Sequence, residues 1–350
     1  MKLSICIPTY NRCKYFYLMT QDLLDQIRLC KLQNEVEICI SDNGSTDETW
    51  DKVNVFLNRN QDLHIKVHRF ETNQGADKNF LKCFEMADGE YTILKGDDDF
   101  IKPEGLLFIF KLLYENPDVD YFLSDYDIVT PKREFLSSII QLRDVYDNLY
   151  VDCDSEIEMR NFFTLSNGIM SMGSFISAYI IRTEALKGDY EKCFDGTFYI
   201  HMYYIWKYLL SGGKKIMYTK KKYIEQCYDG HLNSDFGFGV KRKAVDVEIC
   251  VLLSKKVFNA TNLCTDVKNI AQRMYPCPIY VNRDQRMDYE KKLLPSMIEC
   301  GYQMQNLALH NSWFWHIAYA LLSLFTLRAD VTIRRKFFRK FMSPLDKLMR

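Results

Sequence analysis

The stretch Tyr91-Thr92-Ile93-Leu94-Lys95-Gly96-Asp97-Asp98-Asp99 governs the reading of the whole chain. An apolar run of strand character stops at a glycine and releases three carboxylates in a row. Adjacent carboxylates are costly to bury unless a cation or hydrogen-bond donors face them. At the carboxyl end of a strand they stand where open α/β sheets bind ligands. Two readings are open here. One is a Mg²⁺ or Mn²⁺ site holding a phosphorylated substrate; the other is a solvated acidic turn.

The flanking sequence supplies the frame. Residues 3–7 are apolar and end at Pro8-Thr9-Tyr10-Asn11-Arg12; residues 36–40 are apolar and end at Ser41-Asp42-Asn43-Gly44-Ser45-Thr46-Asp47. Residues 65–70 form a third strand candidate, 91–95 the fourth and 120–124 the fifth. Between them, residues 15–29 carry Phe16, Met19, Leu23, Leu24 and Ile27 at helical spacing. A helix follows the Ser45-Thr46 cap, another spans 76–86 after Asn73-Gln74-Gly75, and a third opens at Pro103 with Leu106, Ile109, Phe110 and Leu113 as its stripe. Alternation at this spacing predicts an α/β fold, a mostly parallel sheet covered by helices on both faces.

After Thr130 the pattern loosens. Residues 161–174 read as a loop around small residues, 177–182 as a strand returning to the sheet, and 198–210 as a helix stopped by Gly212-Gly213. Residues 220–233 read as irregular, and helical segments dominate from Lys243 onward. The expected division is a sheet domain over 1–235 and a helical C-terminal region over 236–350.

The 350 residues carry 46 basic and 46 acidic side chains, so no overall charge argues for nucleic acid. Residues 328–350 hold eight basic and two acidic residues, a net of +6, which leaves −6 on the first 327. Twelve cysteines are scattered without a CxxC pair, which favours a reduced cytosolic chain over zinc or disulfides. The N-terminal apolar run is too short for a signal-peptide core.

The four turns, PTYNR, SDNGSTD, NQG and GDDD, fall in fixed order within about the first hundred residues. In that order the chain resembles family 2 glycosyltransferases of the GT-A fold, strongly over 1–125 and more loosely to 215. Within the family it is most similar to the subset acting in O-antigen synthesis, which includes abequosyltransferase-like proteins. The resemblance implies a GT-A, Rossmann-like sheet with a helical C-terminal extension, and an enzyme that uses a nucleotide-diphosphate sugar and Mn²⁺ or Mg²⁺. It implies that Pro8, Thr9, Tyr10 and Arg12 line the nucleotide-sugar pocket, with Tyr10 against the base. Asp42 would accept hydrogen bonds from the base, and Asn43, Gly44, Asn73 and Gly75 would shape the pocket. Lys78 would face the phosphates. Asp97 and Asp99 would take the metal, Asp99 directly and Asp97 nearer the ribose, while Asp98 stays ambiguous because the motif frame can slip by one.

An inverting transferase needs a base for the acceptor hydroxyl. Many family members place a Glu-Asp pair about a dozen residues before a glycine. Counting back from Gly213 gives Tyr199-Ile200-His201-Met202, with no such pair. His201 is the expected base and Asp195 the reserve. The departure keeps a second hypothesis open, a catalytically inactive nucleotide-sugar-binding scaffold of a membrane glycan-assembly complex. A nucleotidyltransferase is disfavoured, since the first strand's exit has no glycine-rich loop. Downstream, His231, Lys241 and Arg242 flank Gly237-Phe238-Gly239, either a loop closing over the donor or a solvated one.

Residues 313–327 are the most apolar run, shorter than the roughly 20 residues of a bilayer span. Residues 334–341 interleave basic and aromatic side chains, which suits contact with an anionic membrane surface. The sequence thus predicts a cytoplasmic enzyme, peripheral at the inner face of the cell membrane. Its donor would be a UDP, GDP, CDP or TDP sugar. Its acceptor would be a glycan or lipid-linked oligosaccharide of an O-antigen or capsule precursor, and no nucleic acid would bind.

Overall fold

The computed structural model describes residues 1–228, 240–274 and 293–301. The first four long strands are β1 (Leu3–Thr9), β2 (Val36–Asp42), β3 (His64–Arg69) and β4 (Tyr91–Leu94). All four are parallel, and they are joined by helices α1 (Cys13–Leu29), α2 (Thr49–Arg59) and α3 (Ala76–Met86). The remaining strands are β5 (Phe100–Ile101), β6 (Tyr121–Ser124), β7 (Tyr126–Val129), β8 (Phe135–Ile139), β9 (Asn148–Asp152), β10 (Tyr179–Arg182), β11 (Lys215–Thr219) and β12 (Ile224–Cys227). The main sheet has eight strands in the order β3-β2-β1-β4-β10-β6-β11-β9. A second sheet of four runs β5-β12-β7-β8. Strand order reverses between β1 and β4, so a crevice opens beyond their carboxyl ends.

The strands alternate their side chains between two cores, as the period of two requires. Leu3, Ile5, Ile7, Ile38, Ile40, Tyr91 and Ile93 face the core under α1, α2 and α4 (Gly105–Glu115). Cys6, Cys39, Leu94, Tyr121 and Leu123 face the other core. There they meet α3, α5 (Glu156–Leu165) and α6 (Ile200–Leu209). The apolar stripes expected on the helices at 15–29 and after Pro103 are buried as predicted.

Two local expectations are corrected, and the returning strand expected over 177–182 is present as β10. Residues 161–165 belong to α5, whose N-cap Ser155 accepts the Glu158 amide, and a short 3₁₀ turn (Ile169–Met172) follows. The segment after Lys220, expected to be irregular, contributes β12. β10 enters antiparallel between β4 and β6, so the main sheet is mixed beyond its first four strands. The expected boundary near 235 lies outside the described residues. Beyond it, α7 (Val240–Lys256), α8 (Cys264–Met274) and α9 (Leu294–Glu299) pack into the α5–α6 core through Val247, Cys250, Val267 and Met297. The Tyr199 hydroxyl donates to Asp246 Oδ1 at 2.5 Å across this contact.

Candidate active site

The exits of β1 and β2 are bonded into one wall. Asn43 N donates to Thr9 O at 2.9 Å, and Asn11 N to Ser45 Oγ at 2.9 Å. Asn11 Oδ1 accepts the Thr46 amide at 2.8 Å, and Arg12 N reaches Thr49 Oγ1 at 2.8 Å. Asn43 also brings in the third loop: its Nδ2 donates to Asn73 Oδ1 (2.9 Å) and Gly75 O (3.2 Å), while its Oδ1 accepts the Gln74 amide (2.9 Å). Gly44 adopts φ +72°, and a Cβ there would stand 2.7 Å from the Thr72 carbonyl carbon. No other residue fits this approach.

Asp42 is placed differently from expectation. It is fully buried, bonded by the Ser45 amide and hydroxyl and paired with Arg69 Nε at 3.2 Å. No surface of it is left for a nucleotide base, so it holds the loop instead. Tyr10, by contrast, is 38% exposed at the rim, with Pro8 and Thr9 buried behind it.

Beyond β4 the chain turns at Gly96, over which Asp99 folds; a Cβ on Gly96 would meet Asp99 Oδ2 at 2.5 Å. Asp99 is nearly buried. Its Oδ2 accepts the Ser177 hydroxyl at 2.5 Å and its Oδ1 the Cys227 amide at 3.2 Å. Ser177 also accepts the Gly96 amide at 2.9 Å. Asp97 is nearly buried too, with Oδ1 3.6 Å from Arg12 Nε. Lys95 is completely buried and donates to Gly96 O at 3.1 Å and to Asp99 O, which pins the turn. Burial, then the neighbouring Asp98 charge, pushes the Asp97 and Asp99 carboxyls well above the usual range. Burial likewise lowers Lys95, opposed by the three carboxylates.

Asp98 is the one partly exposed member of the triplet. Asp99, the expected direct ligand, is bonded by Ser177 and the Cys227 amide, whereas Asp98 is partly exposed. Three carboxylates against Arg12 and Lys95 leave a formal deficit of one positive charge, so the turn fits a cation. Among the described residues no group of three or more His, Cys, Asp or Glu forms a metal cage. Mg²⁺ and Mn²⁺ held by one or two carboxylates plus substrate phosphates need none.

Helix α3 lines the other side. Asn79 Nδ2 donates to Thr9 O at 3.3 Å, which seats the first turn of α3 against the end of β1. Lys78 does not stand alone before a phosphate site: its Nζ donates to Tyr190 Oη at 2.5 Å and lies 3.7 Å from Asp195 Oδ1. Tyr190 in turn donates to Asp195 Oδ1 at 2.9 Å. Asp195, with a half-exposed side chain, therefore sits on the same rim as Lys78.

The expected base is not in this cleft. His201 is fully buried, its Nε2 3.0 Å from Gly173 O, its ring stacked on Tyr179 and edged by Phe80. It is a core histidine of α6. His231, the Gly237–Gly239 stretch and the basic C-terminal segment lie outside the described residues, and the side chains of Lys241 and Arg242 are not described.

Residues 4–166 match the model of glycosyl transferase family 2. Abequosyltransferase RfbV of Salmonella typhimurium is 28% identical over 233 residues, 64% of this chain and 66% of that protein. Poly(ribitol-phosphate) beta-N-acetylglucosaminyltransferase TarS of Staphylococcus aureus is 34% identical over 107 residues, 30% of this chain and 18% of TarS. The chain thus matches less than two thirds of the length of either relative. In fold it is similar to S. aureus TarS 1-349 in complex with UDP, with a TM-score of 0.59 at 20% identity, covering 86% of this chain and 81% of that one. The Pyrobaculum calidifontis mannosyltransferase PcManGT in complex with GDP-Man and Mn²⁺ gives 0.54 at 13% identity, covering 96% and 82%. With the exits of β1 and β2 bonded beside the Asp97–Asp99 turn and a GT-A sheet, the chain is similar over residues 4–166 to members of glycosyl transferase family 2.

Proposed function

We propose that this protein transfers one sugar from a nucleoside-diphosphate donor to a hydroxyl of a surface-polysaccharide precursor, by direct displacement with inversion. One observation carries the reading. The exits of β1 and β2 are hydrogen-bonded together, and Arg12 of the first pairs with Asp97 beyond β4, so the Asp97–Asp99 turn borders the crevice at the switch point. The nucleotide-bound structures of fold neighbours support a nucleotide sugar as donor, and the similarity to an abequosyltransferase supports an O-antigen type of acceptor.

In this reading Tyr10 packs on the base, and Arg12, whose side chain is 30% exposed, reaches the diphosphate. Asp98 and Asp97 would hold the cation, and Asp99 keeps the turn closed. A Mn²⁺ or Mg²⁺ bound there supplies Lewis-acid stabilisation of the charge on the departing diphosphate. Asp195 takes the acceptor's proton, with Tyr190 and Lys78 fixing its orientation. The apolar and basic residues 313–341 contact anionic lipid, where a lipid-linked acceptor would lie. Among the described residues no helix is long and apolar enough to cross a membrane.

The test is thermal stabilisation by UDP, GDP, CDP and TDP, each with and without Mn²⁺. One of them should raise the melting temperature, more so with Mn²⁺; no stabilisation by any of the four would end the donor assignment. The burial of His201 is what favours the inactive-scaffold alternative. Metal-dependent release of nucleoside diphosphate from a bound nucleotide sugar distinguishes the two, since a scaffold binds without turnover.

A further inference from the structure

The loop that carries Asp195 is built under constraint. Gly196 has φ +78°, and two residues later Phe198 has φ +64°. A bulky side chain in the left-handed region is an uncommon conformation that the surroundings must impose. Thr197 closes the loop locally: its hydroxyl donates to Phe194 O at 2.7 Å and accepts the Tyr199 amide at 3.2 Å. A grip from outside the loop comes from a residue far away in sequence. Asp77, in the first turn of α3 and only 5% exposed, accepts the Phe198 amide on Oδ2 at 3.1 Å and the Ile200 amide on Oδ1 at 3.3 Å. Its neighbour Lys78 holds the other end of the same loop through Tyr190 and Asp195. Two residues beyond Asp77, Asn79 is fastened to the end of β1.

We propose that Asp77 is a positioning residue: it clamps the strained start of α6 onto α3, so that the loop bearing Asp195 is held in register with the donor crevice. The proposal rests on the reading of Asp195 as the group that meets the acceptor. The carboxylate suits this task because one oxygen takes the Ile200 N–H, which the first turn of α6 cannot satisfy itself, and the other takes the Phe198 N–H just ahead of the helix. Loss of the clamp removes one restraint that keeps Phe198 in the left-handed region, and Asp195 shifts with the loop.

Four variants test this: Asp77→Asn, Asp77→Ala, Phe198→Gly and the double Asp77→Ala/Phe198→Gly. Turnover is read as nucleoside-diphosphate release, and donor-side integrity as calorimetric affinity for the nucleoside diphosphate that stabilises the protein most, with Mn²⁺. Asp77→Ala should lower kcat at least tenfold while that affinity stays within twofold. Amide exchange at Phe198 and Ile200 should speed up. The double variant should recover at least threefold of the lost kcat, because glycine holds φ +64° without restraint; a merely structural role predicts no such recovery. Asp77→Asn, which keeps one acceptor, should fall in between and remains usable if the alanine variant does not fold. Wild-type kcat in Asp77→Ala or Asp77→Asn overturns the proposal, and so does a loss that Phe198→Gly leaves unrecovered. If Asp195→Asn keeps wild-type turnover while Asp77→Ala loses it, the role given to Asp195 fails and the clamp stands.

Discussion

At the scale of single residues, the three aspartates after Gly96 divide their work by what else touches them. Asp99 is taken up by Ser177 and Cys227, Asp97 faces Arg12, and Asp98 is the partly exposed one. Asp98→Asn should therefore lower Mn²⁺ affinity at least tenfold, measured by electron paramagnetic resonance, with an unchanged melting temperature. Asp99→Asn should instead lower stability by about 1–3 kcal/mol, since hydrogen bonds to a buried charge are lost. Equal effects of the two variants on both measurements would contradict the division. The sequence shows that this triplet matters but not which member does what, because the partners of Asp99 come from residues 78 and 128 positions away. His201 illustrates the same limit. Its spacing to Gly213 matches a family position, yet Tyr179, Phe80 and Gly173 O enclose it from three other elements. His201→Gln, which can keep the bond to Gly173 O, should retain turnover within about twofold and lose about 1–2 kcal/mol of stability. A hundredfold fall in kcat with stability intact would restore it as the base.

At the scale of elements, the legible part of the fold is the part built from local signals. The strands and helices up to Ser124 carry their own periodicity, turns and breakers, and the alternation of Leu3, Ile5 and Ile7 with Cys6 separates two cores without reference to anything distant. β8, β9 and β12 carry no such signal. β8 is an edge strand with Phe135 and Leu136 exposed, and β12 is a four-residue strand whose place depends on β5 and β7. The second sheet is held by a charge cluster instead. Asp127 on β7 accepts from Lys102 Nζ at 2.5 Å, Lys222 Nζ at 2.9 Å and Ser138 Oγ at 2.5 Å. Burial alone would raise its carboxyl, but these partners prevail and hold it at about 2. A folded-state value below the unfolded one stabilises above the unfolded value of 3.8, and that stabilisation is lost as pH falls toward 2. The contribution at neutral pH is about 2 kcal/mol. Asp127→Asn should lose that amount at pH 7 by urea unfolding, and the gap to wild type should close between pH 4 and pH 2. A gap that persists at pH 2 would show that the ion pairs are not its source. Because β12 supplies the Cys227 amide to Asp99, the same variant should also weaken Mn²⁺ binding slightly, a coupling the triplet's own sequence gives no hint of.

At the scale of the molecule, the composition suggests a sheet domain followed by a separate helical region, but the packing joins them. Trp206 of α6 is surrounded by Phe162 and Phe163 from α5 and by Phe258, which follows α7, with ring centroids 5.4–6.1 Å apart. Ala244, Val247, Cys250, Leu253, Val267 and Ile270 are buried in this same core. Each large apolar side chain of that kind contributes roughly 1.5–3 kcal/mol by leaving water. Removing the whole set exceeds the usual 5–15 kcal/mol stability of a domain. A chain ending at residue 239 should therefore not fold on its own: Trp206 fluorescence should be that of an exposed indole, and no nucleoside diphosphate should stabilise it. A chain ending at residue 301 keeps every one of these contacts and should bind donor nucleotide as the full chain does. The same 1–301 chain lacks the apolar run at 313–327 and the basic aromatic run at 334–341, so it separates catalysis from membrane contact. The full chain should sediment with vesicles containing anionic phospholipid, less so as salt rises through a few hundred millimolar, because surface charge is screened within about 10 Å at 0.1 M. The 1–301 chain should stay in the supernatant at every salt concentration. Sedimentation of both chains alike would place any membrane contact on the folded body instead, and a cooperative, nucleotide-stabilised 1–239 chain would restore the two-region division that the sequence suggests.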